Sequence, residues 1–215
     1  MQEKRRTVTG DGYSYKPFDE NKCIFVNIPG TGGAAVSRAL FGNLAGGHDS
    51  IERYRLVFSK AEFDGYFKFC IARNPWDRVH STYLRLMSDD AAEPDKTWAK
   101  RHLVLYRDFA DFVERGLTLA SVMEQDYFMP QYKFITSPVS DKPLVDFIGR
   151  YENLEADFDF VRKRLDKPDS VRLDPGDAAL AASSTDYKDA YTSLAKEIVV
   201  RAYGSDIEMF GYKFG

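Results

Sequence analysis

Two short, almost wholly apolar segments stand out in a chain whose polar and apolar residues are otherwise closely mixed. They are residues 23–28 and residues 67–72, and a turn-forming or helix-starting segment follows each of them. Apolar runs of this length are typical of strands that are covered on both faces of a parallel sheet. The pattern therefore predicts two central parallel strands, each leading into a helix.

Helical periodicity follows both strands. Residues 33–42 place apolar side chains on one face and end at a glycine, and a second helix begins near Pro75. That second helix carries apolar residues at helical spacing, namely Trp76, Val79, Tyr83, Leu84 and Met87. A third strand is predicted over residues 145–151, before a helix that starts near Asn153. With a last helix over residues 189–203, the alternation predicts an α/β fold with a mainly parallel sheet.

The remaining segments are more polar. Residues 1–21 form a polar lead-in, and residues 168–185 are rich in loop-forming residues. Residues 88–136 are charged and helical in pieces, with apolar positions that include Phe109, Phe112, Val113, Leu119, Val122 and Met123. We interpret residues 88–136 as a helical insertion that covers the site of a single domain, residues 1–215.

Composition narrows the class of protein. The chain has 215 residues, 44% of them hydrophobic, which suffices for one packed core. Its net charge of −3 argues against a nucleic-acid partner. The three histidines and two cysteines show no metal-ligand spacing, so no metal is expected. Cys23 and Cys70 fall in the predicted strands and are expected to pack as small apolar residues, without a disulfide.

The apolar runs also bear on location. The longest of them are far too short to span a bilayer, and the amino-terminal residues are polar, without an apolar leader. We therefore expect a soluble, cytoplasmic protein with no membrane partner. The sequence does not indicate an oligomeric state.

A glycine-rich turn follows the first strand. Such a turn, placed before a helix, can cradle a phosphate with its backbone N–H groups. The residues expected to do so are Gly30, Thr31, Gly32, Gly33 and Ala34. The turn lacks the Gly-Lys-Ser/Thr ending of nucleotide triphosphatases, which disfavours a small-molecule kinase.

A second anion site is predicted after the second strand. Arg73 follows that strand directly and precedes a helix start, and Ser81 lies two helical turns further on. A guanidinium and a hydroxyl placed there can bind phosphate oxygens. The alternative is that Arg73 pairs with Asp77 or Glu152 in a structural network. Two such sites on consecutive strand–helix units suggest a ligand with two separated phosphate-like groups.

Four stretches together resemble the carbohydrate-type sulfotransferases that use 3′-phosphoadenosine 5′-phosphosulfate. They are IFVNIPGTGG at 24–33, IARNPWDRVHS at 71–81, FIGRYENL at 147–154 and DIEMFGY at 206–212. The resemblance implies a P-loop NTPase-like three-layer sandwich. It also implies that the loop holds the 5′-phosphosulfate, while Arg73 and Ser81 hold the 3′-phosphate.

The loop departs from the family pattern, which usually reads Pro-Lys-Thr-Gly/Ala-Gly-Thr-Ser. Gly30 stands in place of the lysine, and Ala34 and Ala35 stand in place of the two hydroxyl residues. A lysine at this point would neutralise the leaving phosphate. Either another cation takes its place, or the protein is catalytically weak or silent. Three basic residues are candidates for that role: Lys16, Lys22 and Arg38.

Sulfuryl transfer to a hydroxyl needs a base near the acceptor oxygen. The resemblance points to His48, which follows two glycines and precedes a short helix. Asp49 and Glu52 are the next candidates. The alternative is a surface histidine beside a helix start.

The expected function is transfer of a sulfuryl group to a hydroxyl of a sugar or other small acceptor. The alternative is a nucleotide- or anion-binding protein of the same fold without turnover. Basic residues of the insertion could attract an anionic acceptor, although a solvated helix face is the commoner explanation; they are Lys96, Lys100, Arg101, His102 and Arg107. A loop before the last helix could close over the 3′-phosphate or simply cap that helix; it contains Ser183, Ser184, Thr185 and Lys188.

Overall fold

The fold was analysed in a computed structural model. It describes Arg5 and residues 13–118, 120–121, 125–174, 176 and 187–215. Two compact units make up the chain. The first unit comprises Met1–Ala72 and Gln131–Ser183, and the second comprises Arg73–Pro130 and Ser184–Gly215.

A three-stranded parallel sheet forms the centre of the first unit. Its strands are β1 (Cys23–Val26), β2 (Phe67–Ala72) and β3 (Phe147–Arg150), and β2 lies in the middle. Val26 is in register with Cys70, and Ala72 is in register with Arg150. The parallel sheet confirms the sequence prediction. Because all strands run in one direction, their carboxyl ends lie at one edge of the sheet.

Eleven α-helices occur in the described residues. They are α1 (Lys16–Asn21), α2 (Gly33–Phe41), α3 (Ile51–Val57), α4 (Lys60–Gly65), α5 (Pro75–Met87), α6 (Glu93–His102), α7 (Phe109–Arg115), α8 (Tyr132–Ile135), α9 (Leu154–Arg164), α10 (Ser193–Ala202) and α11 (Gly204–Phe210). Two 3₁₀ turns cover Tyr151–Asn153 and Tyr187–Ala190.

The longer helices agree with the periodicity, and the short helix expected after His48 is present as α3, whereas α1, α4 and α11 were not predicted. Helices α2, α5 and α9 begin within one residue of their predicted starts. The last predicted helix is divided into the 3₁₀ turn at Tyr187–Ala190 and helix α10, because Thr192 caps the new helix by accepting a hydrogen bond from the Ala195 N–H. Helices α1, α3, α4 and α11 have six or seven residues, too few to show a periodic apolar face.

The core of the first unit is built on the sheet. The rings of Phe25 and Phe69 stack across β1 and β2 with their centroids 4.8 Å apart. Cys23 and Cys70 are buried free thiols in the same strands. Burial raises the pKa of Cys23 to about 12 and raises the pKa of Cys70 further. Both thiols are therefore protonated and serve as apolar packing.

The second unit has an aromatic core between its helices. On α5, Trp76, Val79 and Tyr83 are buried as predicted, whereas Leu84 and Met87 are largely exposed. The Tyr83 ring stacks on Phe112 of α7 at 5.5 Å. The described part of the predicted insertion, residues 88–136, contains α6, α7 and α8, and its positions Leu119, Val122 and Met123 lie outside the described residues.

Candidate functional site

The loop after β1 has the backbone geometry of an anion cradle. Gly30 has a φ of 81° and Gly32 a φ of 77°, both in the left-handed region that favours glycine. Between them, the Thr31 hydroxyl donates to the Ile28 carbonyl oxygen at 2.8 Å and is fully buried. Alternating left- and right-handed residues turn successive N–H groups towards one point. Because α2 begins at Gly33, the positive end of its dipole adds to the same effect.

Gly33 is required by packing. A Cβ atom at this position would lie 1.8 Å from Oδ1 of Asn27, the first residue after β1. The Asn27 side chain is only 3% exposed. Its Oδ1 has no hydrogen-bond partner among the described residues. The side chain of Asn27 therefore fills the space where a side chain on Gly33 would sit and fixes the distance between β1 and α2.

Gly32 packs closely against a residue that follows the third strand. A Cβ atom there would lie 3.0 Å from Cε2 of Tyr151, which begins the 3₁₀ turn after β3. Tyr151 also lines a cavity of about 840 Å³ together with residues of α9 and the segment that follows it. The third strand thus brings an aromatic ring against the glycine loop.

His48 is held by the same strand end. Its Nδ1 lies 2.8 Å from the main-chain oxygen of Asn27. A carbonyl oxygen can only accept, so this contact requires the proton on Nδ1 and leaves the lone pair on Nε2. The His48 side chain is exposed. An exposed imidazole with a fixed tautomer can accept a proton at Nε2, as a general base must.

Two glycines with positive φ create the turn that places His48. Gly46 has a φ of 76° and Gly47 a φ of 61°. A Cβ atom on Gly46 would come within 2.3 Å of the Tyr54 hydroxyl, so this backbone packs directly on the core. The Gly46 N–H donates to the Ser14 carbonyl oxygen at 3.0 Å. The turn is therefore held by the close packing of Gly46 against Tyr54 and by its main-chain hydrogen bond to Ser14.

The two alternative bases have other partners. Asp49 accepts a hydrogen bond from the Tyr15 hydroxyl. Burial, followed by that bond to Asp49, raises the pKa of Tyr15 to about 12. Glu52 pairs with Arg55 at 2.8 Å on the surface of α3. Of the three candidates, His48 has the geometry that fits a base best.

The three cations weighed as substitutes for the missing lysine make their contacts elsewhere. Lys16 pairs with Glu20 at 3.7 Å, and the Lys22 ammonium lies 5.4 Å from the centre of the Tyr66 ring. Arg38 lies in the last turn of α2, at the end of the helix opposite Gly33. Arg53, which the sequence reasoning missed, lies near Tyr15, where its positive charge opposes the rise in the pKa of that hydroxyl. Nothing in its spacing signals that proximity.

In the second unit, Arg73 and Ser81 are brought together as predicted. Arg73 Nη1 donates to the Ser81 Oγ at 3.0 Å, and the arginine is 6% exposed. The structural alternative is present as well, because Nε and Nη2 of Arg73 bind both carboxylate oxygens of buried Asp77 at 2.8 and 3.0 Å. Asp77 thus fixes the plane of the guanidinium and aims its remaining edge at Ser81.

The start of α5 is built around Asn74. Its Oδ1 accepts a hydrogen bond from the Trp76 N–H at 3.1 Å, which caps the helix, and Pro75 occupies the first turn. Arg73 directly precedes this cap. The N–H groups of the first turn and the helix dipole therefore favour an anion at the same place as Arg73.

The remaining sequence-predicted residues have local explanations. Lys100, Arg101 and His102 occupy the last turn of α6, where positive charge is favoured by the helix dipole. His102 stacks on Trp98 at 4.7 Å. Lys96 lies 3.9 Å from Glu93, and Arg107 lies 3.8 Å from Asp111. Lys188 is exposed on the second 3₁₀ turn, and Ser183, Ser184 and Thr185 lie outside the described residues. His80 packs on Phe109, with the ring centroids 4.8 Å apart.

The described residues also limit the chemistry. Within them, no group of three or more His, Cys, Asp and Glu side chains could hold a metal ion. No helix in the described part of the chain is long and apolar enough to cross a membrane.

A glycine loop and a helix start after the strands of a parallel sheet are typical binding places for phosphate-like groups. Residues 46–213 match the model of the Sulfotransferase family, which is more than three quarters of the chain. The chain belongs to this family. Membership supports a sulfotransferase activity, for which the family generally uses 3′-phosphoadenosine 5′-phosphosulfate as donor.

Other comparisons add one relative. An uncharacterized protein of Archaeoglobus fulgidus is 35% identical over 115 residues, which span 52% of this chain and 78% of the relative. No solved structure matches the chain. The family match includes His48, Arg73 and Ser81 but begins after the glycine loop, where the sequence departs from the usual pattern.

Proposed function

We propose that the protein transfers a sulfuryl group from 3′-phosphoadenosine 5′-phosphosulfate to a hydroxyl of a sugar or another small acceptor. The observation that carries the proposal is the buried Arg73–Ser81 contact at 3.0 Å, inside the family match and beside a helix start. A buried arginine with a hydroxyl partner suits a terminal 3′-phosphate. The proposal includes a P-loop-type sandwich and a cytoplasmic location.

The residues divide the work as follows. Gly30–Ala34 would bind the 5′-phosphosulfate through main-chain N–H groups, because the left-handed glycines turn those groups towards one point. His48 Nε2 would take the proton of the acceptor hydroxyl while the acceptor oxygen forms its bond to sulfur. The bond between sulfur and the phosphate oxygen breaks at the same time. The products are the sulfated acceptor and 3′-phosphoadenosine 5′-phosphate.

A second candidate function is binding of the same ligand without turnover. Gly30 favours it, because the cation that would neutralise the leaving phosphate is missing from the loop. The contacts of Lys16, Lys22 and Arg38 elsewhere support this alternative further. Both functions require the 3′-phosphate site, and only the first requires His48.

Calorimetric titration tests the shared part of the proposal. We expect 3′-phosphoadenosine 5′-phosphate to bind more tightly than ADP, because Arg73 and Ser81 can contact only a ligand with a 3′-phosphate. Equal affinities for the two nucleotides would refute the assignment of these residues.

Turnover of the same protein separates the enzyme from the binding protein. With the sulfuryl donor and a screen of hydroxylated acceptors, His48→Ala should lower the rate by roughly 10²–10⁴-fold and leave donor affinity nearly unchanged. The wild-type rate should rise with pH as the imidazolium loses its proton. Glu52→Ala, which removes a surface partner of Arg55, serves as the control. Turnover that survives in the His48 variant would overturn its role as base.

A further inference from the structure

The last residues of the sequence pack on the start of α5, next to Arg73. The Asn74 side chain uses its Oδ1 to cap α5 and its Nδ2 to donate to the Lys213 carbonyl oxygen at 2.9 Å. These two bonds come from the two ends of one amide group. The position of residues 212–215 and the position of the helix cap are therefore mechanically linked.

The Phe214 ring is the main side-chain anchor of this segment. Its centroid lies 5.7 Å from that of Trp76 in an edge-to-face contact. It makes similar contacts with Tyr187 at 5.5 Å and Tyr191 at 5.6 Å, and the Lys196 ammonium lies 4.2 Å from its centre. Edge-to-face pairs and cation–π contacts each add to simple area burial.

Two partners of Phe214, Tyr191 and Lys196, are themselves hydrogen-bonded to the start of α5. The Tyr191 hydroxyl donates to the Trp76 carbonyl oxygen at 2.8 Å. The Trp76 Nε1–H donates to the Lys196 carbonyl oxygen at 3.3 Å. Phe214 thus contacts Trp76 directly and also through Tyr191 and Lys196, and Trp76 lies three residues after Arg73.

We propose that residues 212–215 are a positioning element for the 3′-phosphate site, with Phe214 as its principal residue. The inference rests on the proposed function. A guanidinium must be held to within a fraction of an ångström to give a phosphate two well-aligned bonds. Asp77 fixes its plane, and the cap at Asn74 fixes the backbone from which it extends. The family match ends at residue 213, so Phe214 lies outside it.

The test compares two neighbouring substitutions in the full chain. Phe214→Ala removes the ring, whereas Lys213→Ala removes an exposed side chain and keeps the carbonyl oxygen that Asn74 binds. Calorimetry would measure the affinities for 3′-phosphoadenosine 5′-phosphate and for adenosine 5′-phosphate. We expect Phe214→Ala to lower the preference for the bisphosphate, measured as the ratio of its affinity to that of adenosine 5′-phosphate, by about tenfold. Lys213→Ala should leave the ratio unchanged, and Phe214→Tyr should restore most of it.

A purely structural role would give a different result. If Phe214→Ala lowers the melting temperature but keeps the wild-type ratio, the positioning role is wrong. If wild type itself shows no preference for the bisphosphate, the proposed function fails instead. Should Phe214→Ala not fold, Asn74→Ser keeps an oxygen that can cap α5 and loses the donor to Lys213. An unchanged ratio in that variant would overturn the inference equally.

Discussion

The two candidate anion sites of this chain are built from opposite materials. After β1, the loop relies on its backbone, namely two left-handed glycines and a helix start, while Lys16, Lys22 and Arg38 lie or make contacts elsewhere. After β2, the site relies on side chains, with buried Arg73 held between Asp77 and Ser81. Substitutions that change charge should therefore be tolerated at the first site, whereas substitutions that add volume should be harmful there. The second should show the reverse.

The largest effect is expected at the charged site. Arg73→Ala should weaken binding of 3′-phosphoadenosine 5′-phosphate by about 2–5 kcal/mol, because it removes a buried charge-assisted contact. It should also lower the melting temperature, because buried Asp77 is left without its guanidinium partner. Calorimetry and thermal melting measure the two losses.

A double substitution separates affinity from stability at this site. Arg73→Ala with Asp77→Ala removes both charges, so much of the lost stability should return while the affinity stays low. If affinity also returned, Arg73 would be a structural residue and the contrast between the sites would disappear.

At the glycine loop, adding a charge should increase the rate of sulfuryl transfer. Gly30→Lys supplies the cation that the loop lacks, which is worth roughly 3–4 kcal/mol of barrier when charge develops in the transition state. Product affinity should barely change. Gly30→Ala is the matched control, because it places a side chain at the same φ of 81° without the charge. Equal rates for the two variants would mean that another residue already neutralises the leaving group.

Adding volume to the same loop should do harm. Gly33→Ala should destabilise the fold by about 1–3 kcal/mol, since its Cβ would lie 1.8 Å from Asn27 Oδ1. Gly65→Ala is the control, because no atom lies within 4 Å of the added Cβ there. Urea unfolding compares them. In the Asn27→Ala background the penalty for Gly33→Ala should shrink, and a constant penalty would contradict the packing explanation.

The smallest effect concerns His80 in the second unit. Burial lowers the pKa of His80, which packs against Phe109 at 4.8 Å. In the unfolded chain this ring takes up a proton below about pH 6.5, whereas in the folded chain it does so only at a lower pH. Stability should therefore fall as the pH drops through that region. His80→Gln should reduce this dependence in melting experiments, and an unchanged dependence would contradict this explanation.

The sequence was sufficient to predict the strands and the contacts between residues that belong to one local motif. Arg73 directly precedes the cap of α5 and Ser81 lies two turns further along the chain, so one local motif contains both residues and brings them within reach of each other. The bond from His48 to the Asn27 main chain joins residues 21 apart, and every residue type carries the same carbonyl oxygen. The bond from Asn74 to Lys213 spans 139 residues. Such contacts leave no pattern in spacing or composition, because tertiary packing alone creates them.

The buried thiols of β1 and β2 have an experimental use. Because burial raises the pKa of both Cys23 and Cys70, neither supplies the thiolate that reacts with maleimide or iodoacetamide. A cysteine introduced at the surface can thus be labelled selectively, without removing Cys23 or Cys70. One new surface cysteine in each unit, carrying a spin label or a fluorophore, would report the distance between the units in solution. The same pair would show whether nucleotide changes that distance.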